Sequence, residues 1–382
     1  MTGARGPDPT GEGSSTLIKG PVRLIGTGLI GGSLGLALRR QGIDVHIEDI
    51  SPGTAALAVD MGVGRIIEAG EGHPQLVLVA APPDVAGRIV ARALDEYPSA
   101  VIADVASVKG HVLAEVTTLA APKNLSRYVG AHPMAGREVT GVMAARADLF
   151  GGRPFVITPH AGSDPAAVRT LTSLAVDLGA FPVEMDAALH DEAVAYVSHV
   201  PQLVASLLAT RLLDAPDRAL DLAGQGLRDT TRIAASDPRL WVEILTGNTQ
   251  ALKPVLSGLR DDLNTVLDAL EGRGQLRRSI AETIANGNRG VARIPGKHGG
   301  RADAFAELTV IVPDRAGKLA GLLADIGDAG INLEDLRLEH SVGQDVGLAH
   351  VSVQPSDRTS LERTLTAGGW KIASTEDGDG AR

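Results

Sequence analysis

The chain contains no cysteine among its 382 residues. This absence excludes disulfides, thiolate metal ligands and cysteine nucleophiles, and it fits a reducing compartment. Aromatic residues make up only 2% of the chain, which argues against aromatic platforms for stacking nucleic-acid bases. The formal net charge of -10 argues in the same direction, because a general binder of polyanions carries a basic surface.

Long apolar runs are also missing. No stretch reaches 18 consecutive apolar residues, so the sequence predicts no transmembrane helix. Residues 1–19 lack the apolar core of a signal peptide, and their Gly, Pro, Ser and Thr content predicts a disordered tail. Together with the missing cysteines, these features predict a cytoplasmic protein. The histidines have no zinc-type spacing, so we expect no metal site.

Hydrophobic residues make up 44% of the chain, and its length fits two or three globular domains. Residues 20–186 alternate short apolar strands with helices, which predicts a parallel sheet covered on both faces. Residues 187–288 have apolar residues at helical spacing and no strand signal. We expect this second region to be all-helical and to bury part of its apolar area against a second subunit.

The sequence after residue 288 predicts a linker followed by a third domain. Residues 289–304 are basic and glycine-rich, as is typical of a linker. Residues 305–376 follow the order β-α-β-β-α-β, which is the ferredoxin-like plan. The closing EDGDGAR is predicted to be disordered.

A glycine-rich motif, GTGLIG, directly follows the first predicted strand and opens a helix. Gly26 allows the tight turn, Gly28 lets the backbone approach a pyrophosphate, and Gly31 lets helix and strand pack closely. The N–H groups at the helix start, including those of Leu29 and Ile30, would hold the phosphate. The motif therefore predicts a Rossmann-type dinucleotide site; the alternative is a glycine-rich turn that binds no nucleotide.

Asp49 ends the second predicted strand, 23 positions after Gly26. Its carboxylate can accept hydrogen bonds from both ribose hydroxyls of NAD and would repel the 2′-phosphate of NADP. No arginine follows it immediately to compensate that repulsion. Glu48 is the weaker candidate because strand alternation turns it away. We therefore predict NAD as the cofactor.

Three polar segments hold further candidates, each with a structural alternative. His132 in GAHPMAGRE is held extended by the proline after it and lies between glycines that permit close ligand approach; otherwise it is a structural loop histidine. Ser107 follows a strand at the sheet edge where ligands bind, or it caps the next helix. Asp229 and Arg232 share a helix face, as a surface ion pair or with the arginine facing a carboxylate ligand.

These segments resemble the prephenate/arogenate dehydrogenase family of tyrosine biosynthesis. The resemblance covers about residues 20–290 and rests on GTGLIGGS, DVASVK, GAHPMAGRE, SHVPQ and GLRDTTRIAASDPRLW, in that order. The later segment VPDRAGKLAGLLADIGDAGINLEDL resembles an ACT domain, which typically senses an amino acid at a pairwise interface. The resemblance implies an NAD-dependent prephenate dehydrogenase, a homodimer with a helical dimerisation and substrate domain, and tyrosine as effector.

The resemblance also implies residue roles. His132 matches the catalytic histidine that hydrogen-bonds the substrate 4-hydroxyl, and Ser107 matches a serine near that hydroxyl and the nicotinamide. Arg232 matches the arginine that binds a substrate carboxylate. Together with Arg232, Glu138 and Asp229 match an ionic network at the pocket entrance.

One position departs from the family pattern. His199 matches the first histidine of a family SHxPH stretch, but Gln202 replaces the second. In the family that position faces the substrate side chain, so the departure makes arogenate, which would give tyrosine directly, the alternative substrate. Two other interpretations stay open: a different Rossmann oxidoreductase with a helical second half, and a non-catalytic NAD-binding sensor of an amino acid.

The resemblance to an ACT domain implies an effector site at two turns of the third domain. One is Asp314–Gly317, between its first strand and helix, and the other is Gly330–Asn332, before its second strand. Backbone amides there can hold an α-carboxylate, while Asp314 or Asn332 can meet the ammonium group. The alternative is a purely structural dimerisation module.

Overall fold

The computed structural model describes residues 16–67, 72–136, 139–295, 305–340 and 346–373. Glu138, one of the predicted site residues, lies outside these ranges. The chain folds as two compact units, residues 1–211 with 232–257 and residues 212–231 with 258–382.

The described ranges contain strands and helices throughout. The strands are β1 (Val22–Ile25), β2 (Val45–Glu48), β3 (Arg65–Ile66), β4 (Leu76–Val79), β5 (Val101–Asp104), β6 (Gly130–Pro133), β7 (Pro154–Thr158), β8 (Phe181–Glu184), β9 (Ala306–Pro313), β10 (Asp335–His340), β11 (Val346–Val353) and β12 (Lys371–Ala373). The α-helices are α1 (Leu29–Arg40), α2 (Pro52–Asp60), α3 (Pro83–Glu96), α4 (Gly110–Leu119), α5 (Pro165–Asp177), α6 (Ala187–Val194), α7 (Val200–Arg211), α8 (Asp217–Leu220), α9 (Gln225–Thr231), α10 (Pro238–Gly247), α11 (Thr249–Leu270), α12 (Leu276–Val291), α13 (Lys318–Asp328) and α14 (Arg358–Ala367).

A parallel five-stranded sheet organises the first unit, with the order β3-β2-β1-β4-β5. Val22 of β1 lies opposite Val45 of β2 and Leu76 of β4, so β1 is central. All four residues of β4 are buried, because the sheet is covered on both faces. The order reverses between β1 and β4, and ligands bind outside the carboxyl ends of strands at such a switch point. The predicted Rossmann-type domain is confirmed.

A second, three-stranded sheet was not expected from the sequence. Its order is β6-β7-β8, with β6 antiparallel and β8 parallel to β7. His132 lies on β6 opposite Val156, so the segment predicted to be extended is a paired strand. A bridge between Ile102 and Tyr128 places the start of this sheet beside β5.

A long helical run begins where the second sheet ends. Helices α6 and α7 are joined by a π-helical turn, Ala195–His199. The run Ala187–Asp214 is long and apolar enough to cross a membrane by length and composition. The sequence predicts no transmembrane helix because no run of 18 consecutive apolar residues occurs, and that criterion is stricter than average hydropathy over a helix. A helix that buries its apolar side against a second subunit meets the same criteria, so the finding is weak evidence for a membrane span.

The second unit contains exposed apolar helices and a separate sheet. On α11, Leu259, Leu263, Leu267 and Leu270 are exposed at the spacing of one helix face, as the predicted burial against a second subunit requires. The sheet is antiparallel with the order β10-β11-β9-β12, and α13 and α14 supply the helices of its β-α-β-β-α-β plan. Its core takes alternate residues of each strand, which is why the sequence pattern located these strands.

Two predicted boundaries differ in the structure. Ile18 is buried, and the backbone N–H groups of Leu17 and Ile18 donate to the Asp177 carboxylate, so the end of the predicted tail is packed. Helix α12 continues to Val291, inside the predicted linker, while residues 296–304 lie outside the described ranges.

Candidate active site

The glycine-rich loop has the geometry that a dinucleotide requires. Gly26 has φ +93°, and a Cβ there would meet the Ala80 carbonyl oxygen at 2.4 Å. A Cβ on Gly31 would meet the Gly26 carbonyl oxygen at 2.0 Å, so helix α1 packs directly on the loop. A Cβ on Gly28 would have no neighbour within 4 Å. The loop is therefore closed toward the sheet and open on the side where a pyrophosphate would approach the start of α1.

The acidic residue after β2 is held at this loop. One oxygen of Asp49 accepts hydrogen bonds from the Thr27 N–H and hydroxyl, both at 2.8 Å, and the other accepts from the Ser51 N–H at 2.9 Å. Glu48 points elsewhere, since Arg23 and Arg92 donate to it at 2.6 and 3.0 Å. Asp49 therefore lies at the glycine-rich loop with acceptor positions left on its carboxylate, and its role toward a ribose stays a prediction.

Ser107 does not cap the helix that follows it. Helix α4 begins at Gly110, and a residue far away in the sequence caps it. The Asp191 carboxylate accepts hydrogen bonds from the N–H groups of Lys109 and Gly110, each at 2.8 Å. Within the described residues no hydrogen bond engages the Ser107 hydroxyl, which follows β5 at the carboxyl edge of the sheet. Asp191, and not Ser107, therefore caps helix α4.

His132 lies within a group of three histidines. Its Nδ1 is 2.8 Å from Nε2 of His190, and the two rings meet edge to face with centroids 5.0 Å apart. Nδ1 of His190 is in turn 2.8 Å from Oδ1 of Asp191. Burial lowers the pKa of His132 well below its ordinary value, and the charges of His190, Lys109 and His199 lower it further. His132 is therefore neutral at neutral pH.

A buried charged pair fixes the strand that carries His132. The ammonium of Lys109 pairs with Asp104 and donates to the Ala131 carbonyl oxygen at 2.7 Å. Tyr128 donates its hydroxyl to the other Asp104 oxygen at 2.8 Å. Both charged side chains are almost fully buried, and burying a charge is costly unless it is paired and hydrogen-bonded. This network ties β5, the start of α4 and β6 together directly behind His132.

The π-helical turn brings His199 to the same site. His199 is nine positions after His190, and in an uninterrupted α-helix that is about two and a half turns, which puts side chains on opposite faces. The π turn absorbs one extra residue and rotates His199 back. As a result, Asn248 Nδ2 donates both to the Asp191 carbonyl oxygen at 2.7 Å and to His199 Nδ1 at 3.0 Å. Pro201 follows this turn and lacks the N–H that an α-helix would use.

His199 is buried and neutral. Burial lowers its pKa to about 4, against a smaller opposing effect of Asp191. Its ring meets the Trp241 ring edge to face, with centroids 6.2 Å apart. Gln202, one helical turn later, is also buried, and its Nε2 donates to the Ser206 hydroxyl at 3.4 Å.

The remaining predicted residues are separated between the two units. Arg232 belongs to the first unit, where it is exposed at the start of a 3₁₀ turn. Asp229 belongs to the second unit and accepts a hydrogen bond from Gln225 Nε2 at 2.7 Å. Glu138 lies outside the described residues. The ionic network implied for these three residues stays a prediction.

Several site residues escaped sequence reasoning. His190 and Asp191 form an adjacent pair at the start of a predicted helix, which is a signal that could have been used, and Lys109 closes the DVASVK segment that was singled out only for Ser107. Asn248 has no sequence signal, because it reaches the site only through the fold. Groups of metal-ligating side chains are absent among the described residues.

Comparison with known proteins now identifies the family. Residues 34–183 match the model for "Prephenate dehydrogenase, nucleotide-binding domain", and residues 186–284 match "Prephenate dehydrogenase, dimerization domain". A probable prephenate dehydrogenase, NovF, from Streptomyces niveus is 34% identical over 91% of this chain and 98% of its own length. The chain belongs to the prephenate dehydrogenase family. The Bacillus subtilis prephenate dehydrogenase is 29% identical over 92% of this chain and 96% of its own.

Solved structures of the family agree. The Aquifex aeolicus prephenate dehydrogenase, in complex with hydroxyphenyl propionate and NAD+, is 27% identical, with a TM-score of 0.61 over 70% of this chain and 97% of that one. The Synechocystis arogenate dehydrogenase is 28% identical, with a TM-score of 0.57 over 71% and 99%. As a member of the prephenate dehydrogenase family, the chain is an NAD-dependent oxidoreductase that acts on a small molecule. The match to the dimerization domain supports a homodimer.

Proposed function

We propose that this protein converts prephenate to 4-hydroxyphenylpyruvate by oxidative decarboxylation in tyrosine biosynthesis, with NAD as cofactor and His132 as the catalytic base. The observation that carries the assignment of roles is the state of His132. It is neutral, and its Nδ1 is engaged by His190, so its Nε2 is left to meet a substrate hydroxyl. Similarity over nine tenths of the chain supports the same activity.

The first unit offers the groups that would hold the cofactor. The N–H groups of Leu29 and Ile30 and the open face of Gly28 would bind the pyrophosphate, with Gly26 and Gly31 shaping the turn. Asp49 retains an acceptor position for the adenosine ribose. When bound, NAD supplies the hydride acceptor.

The chemistry of the substrate explains the residues. Prephenate carries a hydroxyl and a hydrogen on C4 and a carboxylate on the opposite ring carbon. Neutral His132 accepts a hydrogen bond from the hydroxyl and draws on its proton while the C4–H electron pair leaves as hydride. The bond to the ring carboxylate then breaks, CO2 leaves, and the released electron pair completes the aromatic ring. The hydroxyl proton ends on the phenol oxygen, so His132 returns what it takes.

Other residues bind and orient the substrate. Arg232 is proposed to hold a substrate carboxylate, for which its permanently charged fork is suited. Ser107 follows β5 beside the strand of His132, with its hydroxyl available to substrate or nicotinamide. Asn248 links His199 to Asp191, and Gln202, one helical turn after His199, is proposed to face the substrate side chain. Glu138 and Asp229 are proposed to act with Arg232 at the entrance.

Gln202 keeps arogenate open as a second substrate. Arogenate has an ammonium group where prephenate has a keto group, and the Gln202 side-chain oxygen is an acceptor that could meet it. Purified enzyme is to be incubated with NAD and either prephenate or arogenate while NADH absorbance is followed. NADH formation with prephenate at the higher kcat/KM supports the proposal. A higher value with arogenate moves the assignment to that substrate, and no NADH with either rejects both.

We also propose the domain limits and the regulation. Residues 20–186, 187–288 and 305–376 are proposed as dinucleotide-binding, helical and ACT regulatory domains of a cytoplasmic enzyme. Helix α12 carries the helical domain on to Val291, and the rest of the predicted linker 289–304 is proposed to join it to the last domain. The β-α-β-β-α-β plan of the last domain supports the ACT assignment. Tyrosine is the proposed effector, bound at the turns Asp314–Gly317 and Gly330–Asn332.

A further inference from the structure

An unbroken chain of hydrogen bonds leads from Asp191 through His190 to His132. The two links are each 2.8 Å, from Asp191 Oδ1 to His190 Nδ1 and from His190 Nε2 to His132 Nδ1. His190 is 1% exposed, so water does not compete for its nitrogens. The direction in which these bonds are donated therefore follows from the protein groups alone.

Asp191 sets that direction because it can only accept. Its carboxylate already receives the N–H groups of Lys109 and Gly110 at the start of α4. Burial would raise the pKa of Asp191, but the hydrogen bonds from His190 and from these backbone groups outweigh burial and lower it. An ionised carboxylate has no proton to give. Nδ1 of His190 must therefore carry the proton in the first link.

The second link follows from the first. A neutral imidazole has one N–H and one acceptor nitrogen, so His190 with its proton on Nδ1 presents an acceptor at Nε2. His132 then has to donate from its own Nδ1, and its Nε2 is left with a free lone pair. This is the tautomer that a base needs in order to accept a proton from the substrate.

We infer that Asp191 and His190 are positioning residues that fix His132 as the Nδ1–H tautomer and take up the positive charge when His132 accepts a proton at Nε2. This deepens the proposed function and rests on it for the substrate. As the substrate proton arrives at His132 Nε2, the Nδ1 proton passes to His190 Nε2, which makes His190 an imidazolium beside ionised Asp191. The steps reverse when the phenol forms, and no proton is lost or gained.

The surrounding charges explain why the charge moves toward Asp191. His132 is faced by Lys109 from the start of α4, by His190 from α6 and by His199 from the π turn, and Lys109 is positive. Asp104 is already paired with Lys109 and Tyr128. An imidazolium at His132 would therefore face Lys109, whereas one at His190 lies against a carboxylate 2.8 Å away. Moving one proton along the chain exchanges a repulsion for an attraction.

The tautomer can be measured without any turnover. Full-length enzyme labelled with ¹⁵N-histidine is to be studied by long-range ¹H–¹⁵N correlation at pH 7.5, with the His132 ring assigned by comparison with His132→Asn. We expect a protonated Nδ1 and an unprotonated Nε2. A protonated Nε2 on His132 would overturn the inference, whatever the enzyme turns over.

Two variants separate tautomer control from charge uptake. His190→Gln keeps the direction of both bonds, since its amide can donate to Asp191 and accept from His132, but it cannot be protonated. His190→Phe keeps ring volume and removes both bonds. We expect kcat to fall roughly 10²–10⁴-fold in His190→Phe, with KM changed little, and to fall less in His190→Gln. His46→Gln is the matched control, because His46 is likewise buried and its Nε2 lies 2.8 Å from Asp44 Oδ2, on β2, which β1 and β4 separate from β5 in the sheet.

The outcomes are distinct. Wild-type kcat in His190→Phe overturns the inference, and wild-type kcat in His190→Gln overturns the charge uptake. An equal loss in His46→Gln assigns the effect to packing and overturns it too. If His190→Phe does not fold, the His132 tautomer and His190→Gln still decide. If the wild type turns over neither prephenate nor arogenate, the proposed function fails while the tautomer result stands.

Discussion

Charged side chains are arranged in opposite ways in the first compact unit and in the C-terminal sheet. In the first unit Lys109 and Asp104 pair at 1% and 0% exposure of their side chains. In the C-terminal sheet the comparable groups stay on the open face, where Arg337 and Glu307 are 55% and 49% exposed and 3.6 Å apart. Each region also has a histidine among such groups, His132 in the first and His350 in the second.

The difference shows where a buried charge has a role that compensates the free energy of removing it from water. A buried ion pair gains little net stability over apolar packing, so its presence needs another reason. In the first unit the buried groups hold β5, α4 and β6 in place and set the charge around His132. On the C-terminal sheet the pairs are screened by water and add little. Matching changes in the two regions should therefore have very different effects.

The largest effect is expected at His132. Replacing it by asparagine removes the base while keeping a polar side chain, and kcat should fall roughly 10²–10⁴-fold. Steady-state kinetics with prephenate and NAD measure this, with substrate binding expected to survive. His350→Asn is the matched change in the other region and should leave kcat as it is. Near-normal turnover by His132→Asn would remove this residue from the mechanism.

Arg232→Ala is expected to have the next largest effect, on substrate binding. Losing a charge-assisted contact to a carboxylate costs on the order of 2–5 kcal/mol when the partner is left unpaired. KM for prephenate should therefore rise steeply, while KM for NAD changes little. Arg278→Ala, which changes an exposed side chain paired with Glu282 one helical turn away, serves as the surface control. If KM for prephenate is unchanged in Arg232→Ala, another residue binds the carboxylate, and Arg228 in the same GLRDTTR segment is the next candidate.

His199 should make stability depend on pH. Its pKa is about 4 in the folded protein and 6.5 in the unfolded chain, so the unfolded chain binds more protons between these values. The contribution of His199 is complete above pH 6.5 and is lost as the pH falls toward 4, by at most roughly 3 kcal/mol. Urea unfolding at pH 7.5 and 5 should show a smaller difference for His199→Gln than for wild type. His73→Gln changes an exposed histidine and should keep the wild-type difference; equal differences in all three proteins would contradict the assignment.

Asp49 should decide the cofactor. Wild type is expected to have the higher kcat/KM with NAD, and Asp49→Ser should narrow the gap to NADP because the charge that repels a 2′-phosphate is gone. Glu48→Gln is the control, since Arg23 and Arg92 already occupy that carboxylate. A wild-type enzyme that favours NADP would contradict the prediction, and so would a Glu48→Gln variant that shifts preference as far as Asp49→Ser.

Local sequence patterns predicted most of the fold. The part of the candidate site that the sequence did not predict depends on contacts between residues far apart in the chain. The glycine loop, Asp49 and the C-terminal strands each follow from neighbouring residues, so the sequence predicted them. Asp191 meets Lys109 across 82 residues and Asn248 meets His199 across 49, and no local pattern marks such pairs. The extra residue of the π turn, which orients His199, has no local sequence pattern and appears only in the folded structure.

The length of helix α13 limits how the two predicted effector turns could bind one ligand. The two predicted turns, Asp314–Gly317 and Gly330–Asn332, lie before and after α13. That helix has 11 residues, so its ends are about 16 Å apart. One tyrosine cannot reach both turns within one copy. If both turns hold the same ligand, one must come from each of two paired copies.

The smallest effect is therefore expected from tyrosine, and it should need the dimer. Coupling between separate sites is typically worth about 1–3 kcal/mol, because the effector acts only through its preference for one state of the enzyme. Tyrosine should inhibit the full-length enzyme, and Asn332→Ala should weaken that inhibition without changing kcat. Lys371→Ala, an exposed change on the edge strand β12, should leave inhibition as in wild type. Tyrosine resembles the product, so it could instead compete through Arg232; competitive inhibition of equal strength in wild type and Asn332→Ala would place it in the active site. Calorimetry that finds no binding of tyrosine, phenylalanine or tryptophan beyond the active site would leave the C-terminal domain a dimerisation module.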